Sequence, residues 1–259
     1  MKTTLFSLLL LFSRVAFAGS SCDDILGEQN FDPLKIKEGI VCFVEQPALD
    51  EHNNQYGTET VVYFIAQDRK PMKAQGEALF NEGGNDAGKI VDAFELDINH
   101  DGKDEIVVIH FVEVRSSLAE QNSSNKFYDV TVFNKMGEIL SRNDRASEWF
   151  GYGYSWLSDG KSEIYEFPYL TQQSVRQALA SPFAELMTHD KKIPVIIKQK
   201  SYLYETPMIQ EKTKKYLIAG DKATIDKYKA GWCQVTYSGG KKSLKMWMKC
   251  EVLQPDTGK

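Results

Sequence analysis

Lys215-Tyr216-Leu217-Ile218-Ala219-Gly220-Asp221-Lys222-Ala223-Thr224-Ile225 decides how the C-terminal part of this chain folds. Tyr216 to Ile218 suit a pleated surface, Gly220-Asp221 is a turn signal, and Ala223 to Ile225 opens a second run. The stretch predicts a strand, a tight turn and another strand. Short runs of the same kind lie on both sides. Upstream are Ile193 to Ile197 and Ser201 to Tyr204, with Pro207 closing a turn. Downstream come Gly231-Trp232-Cys233-Gln234-Val235-Thr236-Tyr237, then Gly239-Gly240, then Met246-Trp247-Met248-Lys249. Short strands with turn-like connections over 192–259 predict a small antiparallel β-domain.

The order of these parts resembles the bacterial SH3 family. The resemblance is carried by Tyr202, Leu203, Tyr204 and Pro207, then Ile218, Gly220, Asp221, Ala223 and Ile225, then Gly231, Trp232 and Val235, and finally Trp247. It spans about sixty residues and departs at Met246, where the family has a glycine. It implies an SH3-like β-barrel that binds peptides or cell-wall fragments in a shallow groove. So small a core is marginal, and Trp232 and Trp247 would supply bulk that short strands lack. Lys212, Lys214, Lys215, Lys241, Lys242 and Lys245 either favour an anionic partner such as cell-wall glycopeptide or form a solvated face that blunts strand edges.

The other end of the chain sets the compartment. Met1-Lys2, the apolar run Leu5 to Phe12 and Ala16-Phe17-Ala18 read as a secretory signal peptide over 1–18. A periplasmic or secreted location follows. Cys22 lacks a leucine three positions ahead of it, which disfavours lipidation. Four cysteines fall as two local pairs, Cys22 with Cys42 and Cys233 with Cys250. An oxidising compartment favours disulfides; three connectivities exist, and local pairing would staple each end of the chain. The spacings do not fit zinc. No later segment is long and apolar enough to cross a bilayer, and 31 basic against 36 acidic residues argue against nucleic acid.

Residues 19–170 read as a second antiparallel β-domain. Ile40 to Val44, Thr58 to Ala66, Ile90 to Leu96, Glu105 to Val114 and Phe127 to Asn134 are β-branched or aromatic runs divided by turn-rich stretches. A segment over 171–191, with Val175, Leu179 and Phe183 at four-residue steps and Pro182 as an interruption, predicts a short helical linker. The fold class is therefore mainly β. Trp149 to Tyr169 is crowded with aromatic residues. Core filling is the first reading of that crowding; the second is a carbohydrate- or protein-binding surface, for which Trp149, Tyr152, Tyr154 and Trp156, with Tyr204, Trp232 and Trp247, are the candidates.

Asp97-Ile98-Asn99-His100-Asp101-Gly102-Lys103-Asp104-Glu105 lies between two expected strands. Calcium takes six to eight oxygens, and alternate side chains of a sharply turned loop can converge on one point. Asp97, Asn99, Asp101 and Glu105 are the candidate side-chain ligands, with the Lys103 carbonyl. An EF-hand would need a bidentate glutamate where Val108 stands. The spacing is similar to the calcium loop of FG-GAP propeller repeats, although a single loop excludes a propeller. With the following Asn122 to Asn125 and Phe127-Tyr128, the unit is also similar to periplasmic lysozyme inhibitors and immunity proteins. The competing reading is an Asx-rich turn that needs no ion.

His52, His100, His110 and His189 fall in no catalytic signature, and Glu163 with Glu166 does not by itself make a glycosidase pair. These readings lead to a non-catalytic periplasmic binding protein, as an inhibitor or immunity protein against a secreted, envelope-attacking or lysozyme-like enzyme. The alternative is a peptidoglycan-binding envelope-maintenance protein, and a cell-wall hydrolase stands third.

Overall fold

A computed structural model of the chain describes residues 21–67, 69–76, 79, 86–114, 123–240 and 242–258. The expected leader over 1–18, Asn122 and Lys241 lie outside the described residues. The molecule is mainly β and built from antiparallel sheets. β1 (Glu28–Ile36), β2 (Gly39–Leu49), β3 (Gln55–Ala66) and β4 (Met72–Lys73) make the first, in chain order. β5 (Lys89–Leu96), β6 (Glu105–Glu113), β7 (Lys126–Met136) and β8 (Ile139–Arg142) make the second. After α1 (Asp144–Phe150), β9 (Tyr152–Tyr154) returns to pair with the opposite end of β7 from β8. β10 (Trp156–Ser158) and β11 (Glu163–Glu166) form a small separate hairpin.

The second sheet is the middle layer. Every residue of β6 from Glu105 to Val112 is buried, because both faces are covered. Successive side chains alternate between those faces. Ile106 and Val108 pack with Val41, Phe43, Val62 and Phe64 of the first sheet. Val107 and Ile109 face the other way, into a cluster containing Trp149 and Phe150 of α1 and the C-terminal strands. The outer face of the first sheet is partly closed by Cys22, bonded to Cys42 on β2.

Residues 171–191 form two short helices, α2 (Gln172–Ala178) and α3 (Glu185–Thr188). Thr171 caps α2 by accepting from the Ser174 amide, and the break between them contains Ser181-Pro182. This segment does more than connect. Val175, Phe183, Leu186 and Met187 enter the same cluster as Ile225, Trp232, Val235 and Met248, so one core runs across residue 191.

The C-terminal strands are β12 (Ile193–Ile197), β13 (Ser201–Tyr204), β14 (Lys212–Leu217), β15 (Lys222–Lys229), β16 (Trp232–Tyr237), β17 (Leu244–Lys249) and β18 (Leu253–Pro255). Their order is β14-β13-β17-β16-β15-β12-β18. Strands expected around Gly220-Asp221 form on either side of it, and the turn is held by the Asp221 carboxylate accepting the Ile218 amide at 2.8 Å. β13 and β12 stand four places apart in that order, about 19 Å in a flat sheet. Ile197 and Ser201 can be separated by at most about 14 Å of chain. The sheet must therefore curl. Its hydrogen-bonded path ends at β14 and β18, so among the described residues the barrel expected for 192–259 is not found closed and the strands form a curled sheet.

Candidate functional site

The concave surfaces that bear on function lie where the middle sheet meets the C-terminal sheet. Gly151 ends α1 with φ +66°, a left-handed conformation, and redirects the chain into β9. A Cβ at Gly151 would come within 2.8 Å of the Lys229 side chain, and one at Gly153 within 2.7 Å of the Tyr165 hydroxyl. Glycines on both sides of Tyr152 thus let β9 lie close against its neighbours. β9 pairs with β7 so that Tyr154 opposes Phe127 and Tyr152 opposes Asp129. The Phe127 ring sits 5.0 Å from Tyr154, edge-on, and 5.5 Å from Tyr152, while the Lys229 ammonium lies 3.6 Å over Tyr152.

Phe127, Tyr152, Tyr154 and Leu157 form one wall of a groove of about 260 Å³, and Pro207 and Met208, on the turn between β13 and β14, form the other. Met208 is half exposed, at 51%. Tyr152 and Lys229 also line an adjoining polar cleft of about 580 Å³, which carries Asp129, Arg145, Glu148 and Asp190. Arg145 reaches Asp190 at 3.1 Å. An apolar trough beside a two-signed charged cleft can hold an apolar anchor of a partner and position its charged neighbours.

Several buried groups near these surfaces were not singled out in the sequence. Asp129 accepts the Thr131 hydroxyl at 2.7 Å, and burial pushes its carboxyl upward. His110 opposes Asp129 across β6 and β7, and burial pushes its imidazole downward. Its Nε2 lies 3.0 Å from the Ala87 carbonyl and donates to it in the neutral ring. Lys249 places its ammonium 4.5 Å from the Tyr165 ring and 4.3 Å from Trp232, and burial lowers its pKa to about 8. Only strand register brings His110 to Asp129, and no local pattern announces register.

Of the seven aromatic candidates, the structure separates core from surface. Trp149, Trp232 and Tyr204 are 2%, 1% and 8% exposed, which corrects their place on a binding surface. Trp149 stacks on Tyr228 at 4.1 Å and donates its indole N–H to the Phe183 carbonyl; Trp232 meets Tyr204 edge-on at 4.8 Å. Tyr152 and Trp156 are exposed, Tyr154 is half-buried in the apolar groove, and half-buried Trp247 lines the polar cleft.

The acidic loop is folded by its own side chains. Asp97 accepts the Asp101 and Gly102 amides, Asn99 accepts the Asp101 amide, and Asp101 accepts the Lys103 amide. Glu105, almost fully buried, accepts the Ile98 amide at 3.1 Å. Burial raises the Glu105 pKa, and the charges of Asp101 and Asp97 raise it further. Among the described residues no ammonium or guanidinium pairs with Asp97, Asp101 or Glu105, and no group of three His, Cys, Asp or Glu side chains is gathered as a metal cage. The Asx-turn hydrogen bonds of the competing reading are all present.

No family model, curated protein or solved structure matches this chain.

Proposed function

We propose that this protein is a non-catalytic binding protein of the bacterial envelope, which holds a protein partner in the groove between Tyr152, Tyr154 and Met208. The partner class is a secreted enzyme that attacks the envelope, and the role is that of an inhibitor or immunity protein. One observation carries the reading: an apolar, aromatic trough is flanked by charges of both signs. Its volume of about 260 Å³ lies below the roughly 300–1,000 Å³ usual for small-molecule sites, and suits one or two anchoring side chains of a polypeptide. Tyrosine and methionine are among the residues enriched where proteins meet. The SH3-like strand order of 192–259 belongs to this proposal as well, with the turn containing Met208 as its contact segment.

The experiment is recovery of partners from envelope extract on immobilised protein, beside a Tyr152→Ala, Met208→Asp variant. The expected result is a stoichiometric protein bound at least about tenfold more weakly by the variant, the size of effect expected when interface anchors are lost. No partner, or a partner held equally by the variant, defeats the proposal.

The 97–105 loop belongs to the same proposal as a structural calcium site. Its donors are all oxygens; burial first, and the charges of Asp101 and Asp97 after it, raise the Glu105 pKa, and a divalent cation would offset both. Asp97, Asn99, Asp101, Glu105 and the Lys103 carbonyl would hold the ion, which would pin the β5–β6 connection.

A further inference from the structure

A second surface of different chemistry lies on the edge of the C-terminal sheet. β14 is the terminal strand of that sheet. Alternation along it turns Leu217 inward, where it is 3% exposed, and sends Lys212, Lys214 and Tyr216 outward. Tyr202 on β13 opposes Tyr216 across the ladder, so both rings share the solvent face. The Lys200 ammonium lies 4.2 Å over Tyr216, and the Lys212 ammonium 4.1 Å over Tyr202. Ile218, at the turn that follows, is 51% exposed and Tyr216 50%.

The charge here runs against that of the chain as a whole, whose formal net charge is −5. From 198 to 222 six lysines face three acids, Glu205, Glu211 and Asp221. Lys222 and Lys245 have carboxylate partners at 2.9 and 2.7 Å, whereas Lys200, Lys212 and Lys214 have none among the described residues.

We propose that the solvent face of β13 and β14 docks on a bilayer surface carrying anionic headgroups. Charge complementarity selects an anionic partner, and the apolar groups select among anionic partners. Lysines already lie over one face of each tyrosine ring and compete there with the stacking that a sugar ring needs. An exposed isoleucine beside them offers a glycan nothing, yet it can enter the headgroup boundary where tyrosine and lysine side chains settle. Lysines near such a surface contribute additively and are screened by salt. This inference is independent of the groove, which lies on other residues.

The test is sedimentation of the purified protein with vesicles of phosphatidylcholine alone and with phosphatidylglycerol mixed in. Binding is expected to the mixed vesicles only, to fall with added salt, and to drop about fivefold for each lysine removed in Lys212→Gln and Lys214→Gln. Ile218→Ser is expected to weaken it with the charge intact, and Tyr152→Ala to leave it unchanged. All these side chains are exposed, so unaltered melting curves will show that the variants fold. Equal binding to both vesicles, no binding, or full binding by the lysine variants overturns the proposal. So does retention on purified sacculi that these substitutions abolish while vesicles are ignored, which reassigns the face to a glycan.

Discussion

Lys249 is a residue where burial and charge are at odds. Its ammonium is held over Tyr165 and Trp232, and burial brings its pKa to about 8 from a reference of 10.5, with Glu251 only partly opposing the shift. A lysine with a lowered folded-state pKa costs stability at neutral pH, where the folded protein holds a proton it binds weakly. That cost fades as pH rises from about 8 to 10.5. Lys249→Met is therefore expected to be more stable than the parent by about 1–2 kcal/mol at neutral pH, a figure reduced for the side chain's partial exposure. Denaturant unfolding across that pH range should show the difference shrinking toward zero; a variant less stable at neutral pH would contradict it. The same scale shows why aromatic residues misled in part. Trp149, Tyr152, Tyr154 and Trp156 crowd into eight positions, yet the first is core and the last is exposed. Composition states how much apolar surface a segment has, and only packing partners decide which ring is covered.

Among the elements, the β16–β17 pair shows what a cross-link does for a small sheet. Cys233 is fully buried on β16, and its bond to Cys250 closes a segment with a sequence separation of 17. Loop-closure entropy makes that bond worth about 3 kcal/mol. Cys233→Ala with Cys250→Ala should lower the unfolding free energy by about that amount, read from the denaturant midpoint at constant slope. An unchanged midpoint would mean that the sheet is held by its core alone. The β5–β6 connection gives the second expectation at this scale. If calcium sits in the loop, the melting temperature rises with added calcium and falls with chelator, and Asp101→Ala removes the response. No response in the parent would leave the Asx turns as the whole account of that loop. Both elements were legible in the sequence because their signals are local: cysteines close in the chain, and acids at alternate positions before a glycine.

At the scale of the molecule, one apolar cluster couples the halves. Val107 and Ile109 from the middle sheet, Phe183 and Met187 from the helical segment, and Trp232 and Met248 from the C-terminal sheet share it. Separating residues 192–259 from the remainder would expose these side chains to water at about 25 cal/mol per Å². Calorimetry should therefore show one unfolding transition, with equal calorimetric and van't Hoff enthalpies. Two resolved transitions would mean that the shared cluster does not bind the halves together. The groove with Tyr152 and Met208 exists only because of this coupling, since each half supplies one wall.

The β class, the strands on both sides of Gly220-Asp221, the two-by-two spacing of the cysteines and the acidic loop are legible in the linear order of residues, because propensity, turn chemistry and spacing act over a few positions. Tertiary structure decided the rest. It curled the C-terminal sheet, drew 171–191 into the core, buried Trp149, Tyr204 and Trp232, and brought Tyr152 to Met208. Those outcomes depend on register and on which faces meet, free-energy differences spread over residues far apart in the chain, and no window of sequence contains them.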